Sequence, residues 1–138
     1  METRRTFEDY WYQFEGEGIE DDMLTGLVCR TLSELPNDIG DQILEEVKII
    51  RSGLGSGEKD TGQYFSVQSL NNRAVILLSD DIDLGREGIK ILKHEIAHHI
   101  KGHGPITPTM DSSEHTRIYD FQEAEAWSLV GEWEAMLL

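Results

Sequence analysis

Basic residues are scarce in this chain: 12 Lys and Arg stand against 27 Asp and Glu, a net charge of −15 at pH 7 with His neutral. Such a surface repels a phosphate backbone or an anionic membrane, so neither nucleic acid nor a membrane is expected as a partner. Cysteine is nearly absent. Cys29 alone cannot form an internal disulfide, and its place in the run Leu27-Val28-Cys29 reads as a small buried thiol. No stretch approaches the ~18 apolar residues of a membrane span. Near the N-terminus Arg4 and Arg5 lead into Phe-Glu-Asp-Tyr rather than an apolar signal segment. A soluble, cytoplasmic protein is therefore expected. Only three prolines occur, and 38% hydrophobic with 8% aromatic residues is the composition of a folded protein rather than of a disordered acidic tail. The 138 residues fit a single domain with a modest core.

Hydrophobic spacing divides the chain into helices around a central strand region. Phe7, Tyr10, Trp11 and Phe14 follow the i, i+3, i+4, i+7 rule of a short amphipathic helix, ended by the Gly-containing segment 15–18. Met23, Leu24, Leu27, Val28 and Leu32 form a second stripe, with Asp21 and Asp22 suited to its first turn and Pro36 stopping it. Asn37 or Asp38 can cap a third helix carrying Ile39, Ile43 and Leu44. Val47, Ile49 and Ile50 read as a strand. The glycine-rich segment 52–62 leads into no helix, so it reads as a connection and not a phosphate cradle. Segments 63–70 and 73–79 flank Asn71-Asn72 and predict a hairpin. Asp80, Asp81 and Asp83 lack the spacing of a calcium loop and suit the start of a helix over about 86–102. After a loop with Pro105 and Pro108, a last helix is expected over about 117–138, with an apolar stripe of Ile118, Tyr119, Ala126, Leu129, Val130, Trp133, Met136 and Leu137.

Residues 94–98 read His-Glu-Ile-Ala-His, a helical signature in which two histidines one turn apart bind a zinc ion and the intervening Glu acts as base. Composition alone would produce such a string about 2% of the time, so its helical context has to carry part of the argument. At about 100° per residue, Ile89, Leu92, Ile96 and Ile100 gather on one face, while His94 and His98 point roughly opposite. One face packs and the other is left for metal, with Glu95 as the base. His99 and His103 project with the apolar face and read as packing residues or supports of the ligands. A longer signature with a third histidine needs Gly at 101 and His at 104, where this chain has Lys101 and Gly104. A catalytic zinc needs a third protein ligand. His115, Asp120, Glu123 and Glu125 are the downstream candidates, and periodicity does not choose between the two glutamates, which flank the apolar stripe of the last helix about equally.

The run His-Glu-Ile-Ala-His-His-Ile-Lys-Gly-His, followed by Glu123-Ala124-Glu125-Ala126, resembles the ImmA/IrrE family of small intracellular zinc metallopeptidases, and is similar to the minimal gluzincins. The resemblance runs from the strand near Val47 to about Leu138, roughly two-thirds of the chain. It implies a zincin-like α+β fold in which a small twisted sheet with a hairpin packs against the zinc helix and the C-terminal helix. The single domain over 1–138 would then comprise N-terminal helices over about 5–45, the sheet over about 46–80, and the two site-bearing helices. The resemblance also implies zinc held by His94, His98 and Glu123, with Glu95 as general base and Glu125 the reserve ligand. The chain departs from the family where Trp127 takes the usual Asn/Asp position and Leu129-Val130 replaces the usual Phe-Ala. An indole donates a hydrogen bond but accepts none, so another acceptor, with Asp120 the candidate, would have to orient a ligand imidazole.

The activity implied is hydrolysis of peptide bonds in a peptide or protein substrate, with Tyr119 or His115 as a possible donor to the oxyanion and a sheet edge available to pair with an extended chain. The acidic surface adds an expectation that the substrate or partner presents basic residues. The alternative is a catalytically inactive zincin-fold domain that binds metal or protein, which Trp127 favours and the retained Glu95 disfavours. An acidic binding protein with incidental histidines is the more remote rival.

Overall fold

The architecture is that of a computed structural model describing residues 3–18, 21–52, 62–65, 74–79, 82–102 and 112–137. Three helices come first: α1 (Phe7–Glu17), α2 (Asp22–Ser33) and α3 (Asn37–Glu46). Strands β1 (Val47–Ser52), β2 (Gly62–Phe65) and β3 (Ala74–Ser79) follow, then helices α4 (Arg86–Ile100) and α5 (Ser112–Ala135). The fold is mixed helix and sheet, as expected for α+β. The sheet order is β1-β3-β2, with β1 parallel to β3 and β2 antiparallel to it. Ala74, Val75, Ile76 and Leu78 of the central strand are all buried, the near-continuous apolar run of a strand covered on both faces. The antiparallel β2–β3 pairing accords with the expected hairpin; its Asn71-Asn72 turn lies outside the described residues, as do Asp80, Asp81, His103, both loop prolines and most of the glycine-rich segment.

Several element ends differ from the sequence expectation for identifiable reasons. Helix α1 continues through Gly16 and stops at Gly18, whose φ of 88° is left-handed backbone and whose N–H returns to the Glu15 carbonyl. Its start is a capping box between Thr6 and Asp9. Asp21 caps α2 by accepting from the Leu24 N–H at 3.1 Å. Neither Asn37 nor Asp38 caps α3: Pro36 holds that position with no side-chain bond, and Asn37 instead accepts from the Arg5 N–H and donates to the Thr3 carbonyl, both at 2.9 Å. Before α4, Asp83 accepts from the Gly85 N–H at 3.0 Å, a turn bond rather than a helix cap. Helix α5 starts about one turn earlier than expected, because its first residues are polar and carry no apolar periodicity.

The core unites all three N-terminal helices, the sheet, α4 and α5. Tyr10, Leu27, Leu32, Ile43, Ile76, Leu92, Ile96, Ala126 and Trp133 meet within it. Cys29 is fully buried there, and burial pushes its thiol up to about 11 despite the nearby Arg30, the inert state expected of it. Met136 and Leu137, placed by periodicity on the buried stripe, are exposed because they follow the last turn of α5. Two glycines permit close approaches: a Cβ on Gly40 would stand 2.2 Å from the Tyr10 hydroxyl, and one on Gly88 would stand 1.7 Å from the Asp83 carbonyl oxygen.

Candidate metal centre

Helix α4 buries Ile89, Leu92 and Ile96 against the sheet and α2, which turns His94 and His98 toward α5. The histidine face is not an open cleft. Helix α5 lies against it, and His98 and Glu95 are both buried. From α5, Glu123 reaches both imidazoles: one carboxylate oxygen lies 2.9 Å from His94 Nε2 and the other 3.0 Å from His98 Nε2. These three side chains form a group that can hold a metal ion. Glu125 is not in that group, and Asp120 is exposed and outside it. Of the two glutamates of the last helix, Glu123 is the one placed against the histidines, through a contact between helices that periodicity within one helix does not contain. The side chains of His115 and Tyr119 lie outside the described part of the structure.

Whether these donors fit an ion is tested by their hydrogen bonding. His94 Nε2 is buried and has no hydrogen-bond partner among the described residues although Glu123 Oε2 is only 2.9 Å away. Two donor atoms stand side by side without bonding each other, and a cation accepted by both would satisfy them. Two imidazole nitrogens and a carboxylate oxygen are a donor set suited to a first-row divalent ion. The buried oxygen Glu95 Oε2 is likewise without a hydrogen bond, while Glu95 Oε1 sits 3.4 Å from His94 Nδ1. Burial presses the His94 imidazole toward its neutral form, but the Glu95 and Glu123 carboxylates outweigh it and hold its pKa above the ordinary value.

Two features near the site were missed by the sequence reading. Trp127, one turn beyond Glu123, stacks on His94 with ring centroids 4.3 Å apart and planes 14° from parallel. The His98 ring stands edge-on to His94, 4.6 Å away at 70°. The second feature is an ionic cluster further along the same helix pair. Lys93, whose side chain is 0% exposed, donates to Glu34 at 2.8 Å and faces Glu134 at 3.5 Å, and Arg86 bridges the same two carboxylates. Burial would raise Glu34, yet hydrogen bonds from Arg86 and Lys93 hold it below the usual carboxylate range. Glu134 lies eleven residues after Glu123, three helical turns, so both face α4; that spacing was the one available hint. His99, expected to pack or support, pairs at 2.8 Å with Glu46 at the end of α3 and takes no part in the cluster.

Comparison with known proteins adds no further constraint: no family model matches the chain, nor does any curated protein or solved structure. Among the described residues, no helix is long and apolar enough to cross a membrane.

Proposed function

We propose that this chain is a zinc-dependent metallopeptidase of zincin-like fold, akin to the ImmA/IrrE peptidases, acting in the cytoplasm on a peptide or protein substrate. The observation that carries the reading is the convergence of His94, His98 and Glu123 beside the buried carboxylate of Glu95. A structural zinc site has no use for an additional carboxylate between its ligands, and that residue type at that place is what a peptidase requires. His94 and His98 would ligate through Nε2 and Glu123 through its carboxylate. When bound, the ion supplies Lewis acidity, which polarises the scissile carbonyl and acidifies a water. Glu95 accepts the proton of the attacking water on a carboxylate oxygen and hands it to the leaving amine nitrogen. Helix α4 packs against β2, which is an edge strand among the described residues, and in this reading an extended substrate would pair with a strand edge of the sheet.

The second reading, an inactive metal-binding or interaction domain, is favoured by the Trp127 ring lying over His94. One experiment separates the two. Protein purified without chelators is expected to hold close to one zinc per chain, and Glu95→Gln to keep the zinc while losing cleavage of a Lys/Arg-rich peptide mixture followed by mass spectrometry. Zinc with no cleavage by either protein leaves the inactive metal-binding domain as the reading, equal cleavage by both removes Glu95 as the base, and no zinc removes the metal centre and leaves an interaction domain.

A further inference from the structure

A metal-binding imidazole usually has its plane set by an acceptor on its second ring nitrogen. At His94 the carboxylate beside Nδ1 is Glu95, at 3.4 Å, well beyond the 2.7–2.9 Å of a strong charge-assisted hydrogen bond. What lies close is a ring. The Trp127 indole covers one face of the imidazole at 4.3 Å and 14°, and the His98 ring meets it edge-on. A near-parallel contact of this kind resists rotation of the imidazole out of its plane, since turning the ring would drive its edge into the indole. Trp127 comes from the helix that carries Glu123, one turn further on, so the third ligand and the ring stacked on the first are delivered by one rigid element.

We propose that Trp127 is a positioning residue for His94: its indole face sets the imidazole plane so that Nε2 points toward Glu123 and His98, in place of an acceptor on Nδ1. The arrangement also frees Glu95 from orienting its neighbour and leaves its carboxylate for the proton of the reacting water. This rests on the metal-centre reading above, and it accounts for a tryptophan that remains 47% exposed. A half-exposed indole contributes little to the core, so its removal separates site geometry from folding.

The test compares wild type with Trp127→Leu, which removes the aromatic face, and Trp127→Phe, which keeps one. In metal-free wild type the indole ring current shifts the His94 ring protons upfield in NMR spectra, and the shift disappears in the Leu variant. Zinc affinity, read by competition with a chromophoric chelator, falls about tenfold in the Leu variant and stays within about threefold in the Phe variant. The visible spectrum of the cobalt(II)-loaded protein changes in the Leu variant alone. Unchanged zinc affinity and an unchanged cobalt spectrum in a folded Leu variant overturn the proposal and leave the metal centre standing. A wild-type chain that takes up neither zinc nor cobalt overturns the metal-centre reading, and this proposal with it.

Discussion

An imidazolium and a metal ligand are competing states of one ring, and at His94 the surrounding carboxylates favour both. Glu95 and Glu123 hold the proton above the ordinary histidine range against the opposing effect of burial, and the same Glu123 carboxylate would complete the proposed ligand set. Because a ligand must be unprotonated, metal binding releases that proton. Metal affinity is therefore expected to fall as pH drops below the raised His94 value, which zinc titrations between about pH 8 and pH 5.5 would measure. Metal-free protein carries the opposite dependence. A raised folded-state pKa adds stability that is complete below the unfolded imidazole value and is lost as pH rises through the folded one. The Tm gap between zinc-loaded and chelator-treated protein should accordingly narrow on acidification; a gap constant with pH would contradict the sign. At this scale the sequence reading reached what lies within one helix. His94, Glu95 and His98 lie within one and a half turns of a single helix, so their faces could be computed. Glu123 could not be distinguished from Glu125 without the partner helix, and Trp127 looked like a lost acceptor because a ring-on-ring contact between helices leaves no mark on the spacing of either.

The pairing of α4 with α5 is held at two levels along one seam, by Glu123 on the histidines and by Glu134 within the Arg86–Lys93–Glu34 cluster. The second ties both helices to the C-terminal end of α2, because Glu34 caps that helix. Lys93→Met retains the aliphatic stem but leaves two carboxylates facing each other with only Arg86 between them. Breaking a buried pair costs ~3–5 kcal/mol, and because Glu34 and Glu134 are partly solvated the expected loss is about 2 kcal/mol by urea denaturation. A loss below a few tenths would mean the cluster is merely decorative. Glycines allow a sharper contrast in the same two helices. Gly88→Ala gains helix propensity but sets a Cβ 1.7 Å from the Asp83 carbonyl oxygen, a backbone atom that cannot swing away. Destabilisation by about 2–3 kcal/mol is expected there, whereas Gly131→Ala in α5, with nothing within 4 Å of its Cβ, should stabilise by roughly 0.5–1 kcal/mol. Paired thermal melts would decide it, and equal shifts would refute the close approach. Apolar periodicity located the five helices of the described residues, but it was blind to the polar first turn of α5 and to Asn37, whose side chain serves the N-terminal segment rather than its own helix.

For the molecule as a whole, the question left by composition is what a charge of −15 does beyond the few acids with assigned places. Asp21 caps a helix, Glu34 and Glu134 answer Arg86 and Lys93, Glu123 joins the His94–His98 group that can hold a metal ion, and Glu95 lies buried beside it. Most of the remaining acids among the described residues are exposed, where a packing argument has no hold on them. Its consequence is a field. A negative surface raises the local concentration of cations and basic peptides and speeds their encounter, an effect that weakens with a Debye length of about 8 Å at physiological salt. If the chain cleaves peptides as proposed, kcat/KM for a Lys/Arg-rich substrate should fall as sodium chloride is raised from about 20 mM to 300 mM, while a neutral peptide of equal length stays nearly constant. Salt acting on the metal centre would slow both substrates alike, so the ratio of the two rates isolates steering. A ratio independent of salt would assign the acidic excess to solubility alone and withdraw the expectation of a basic substrate.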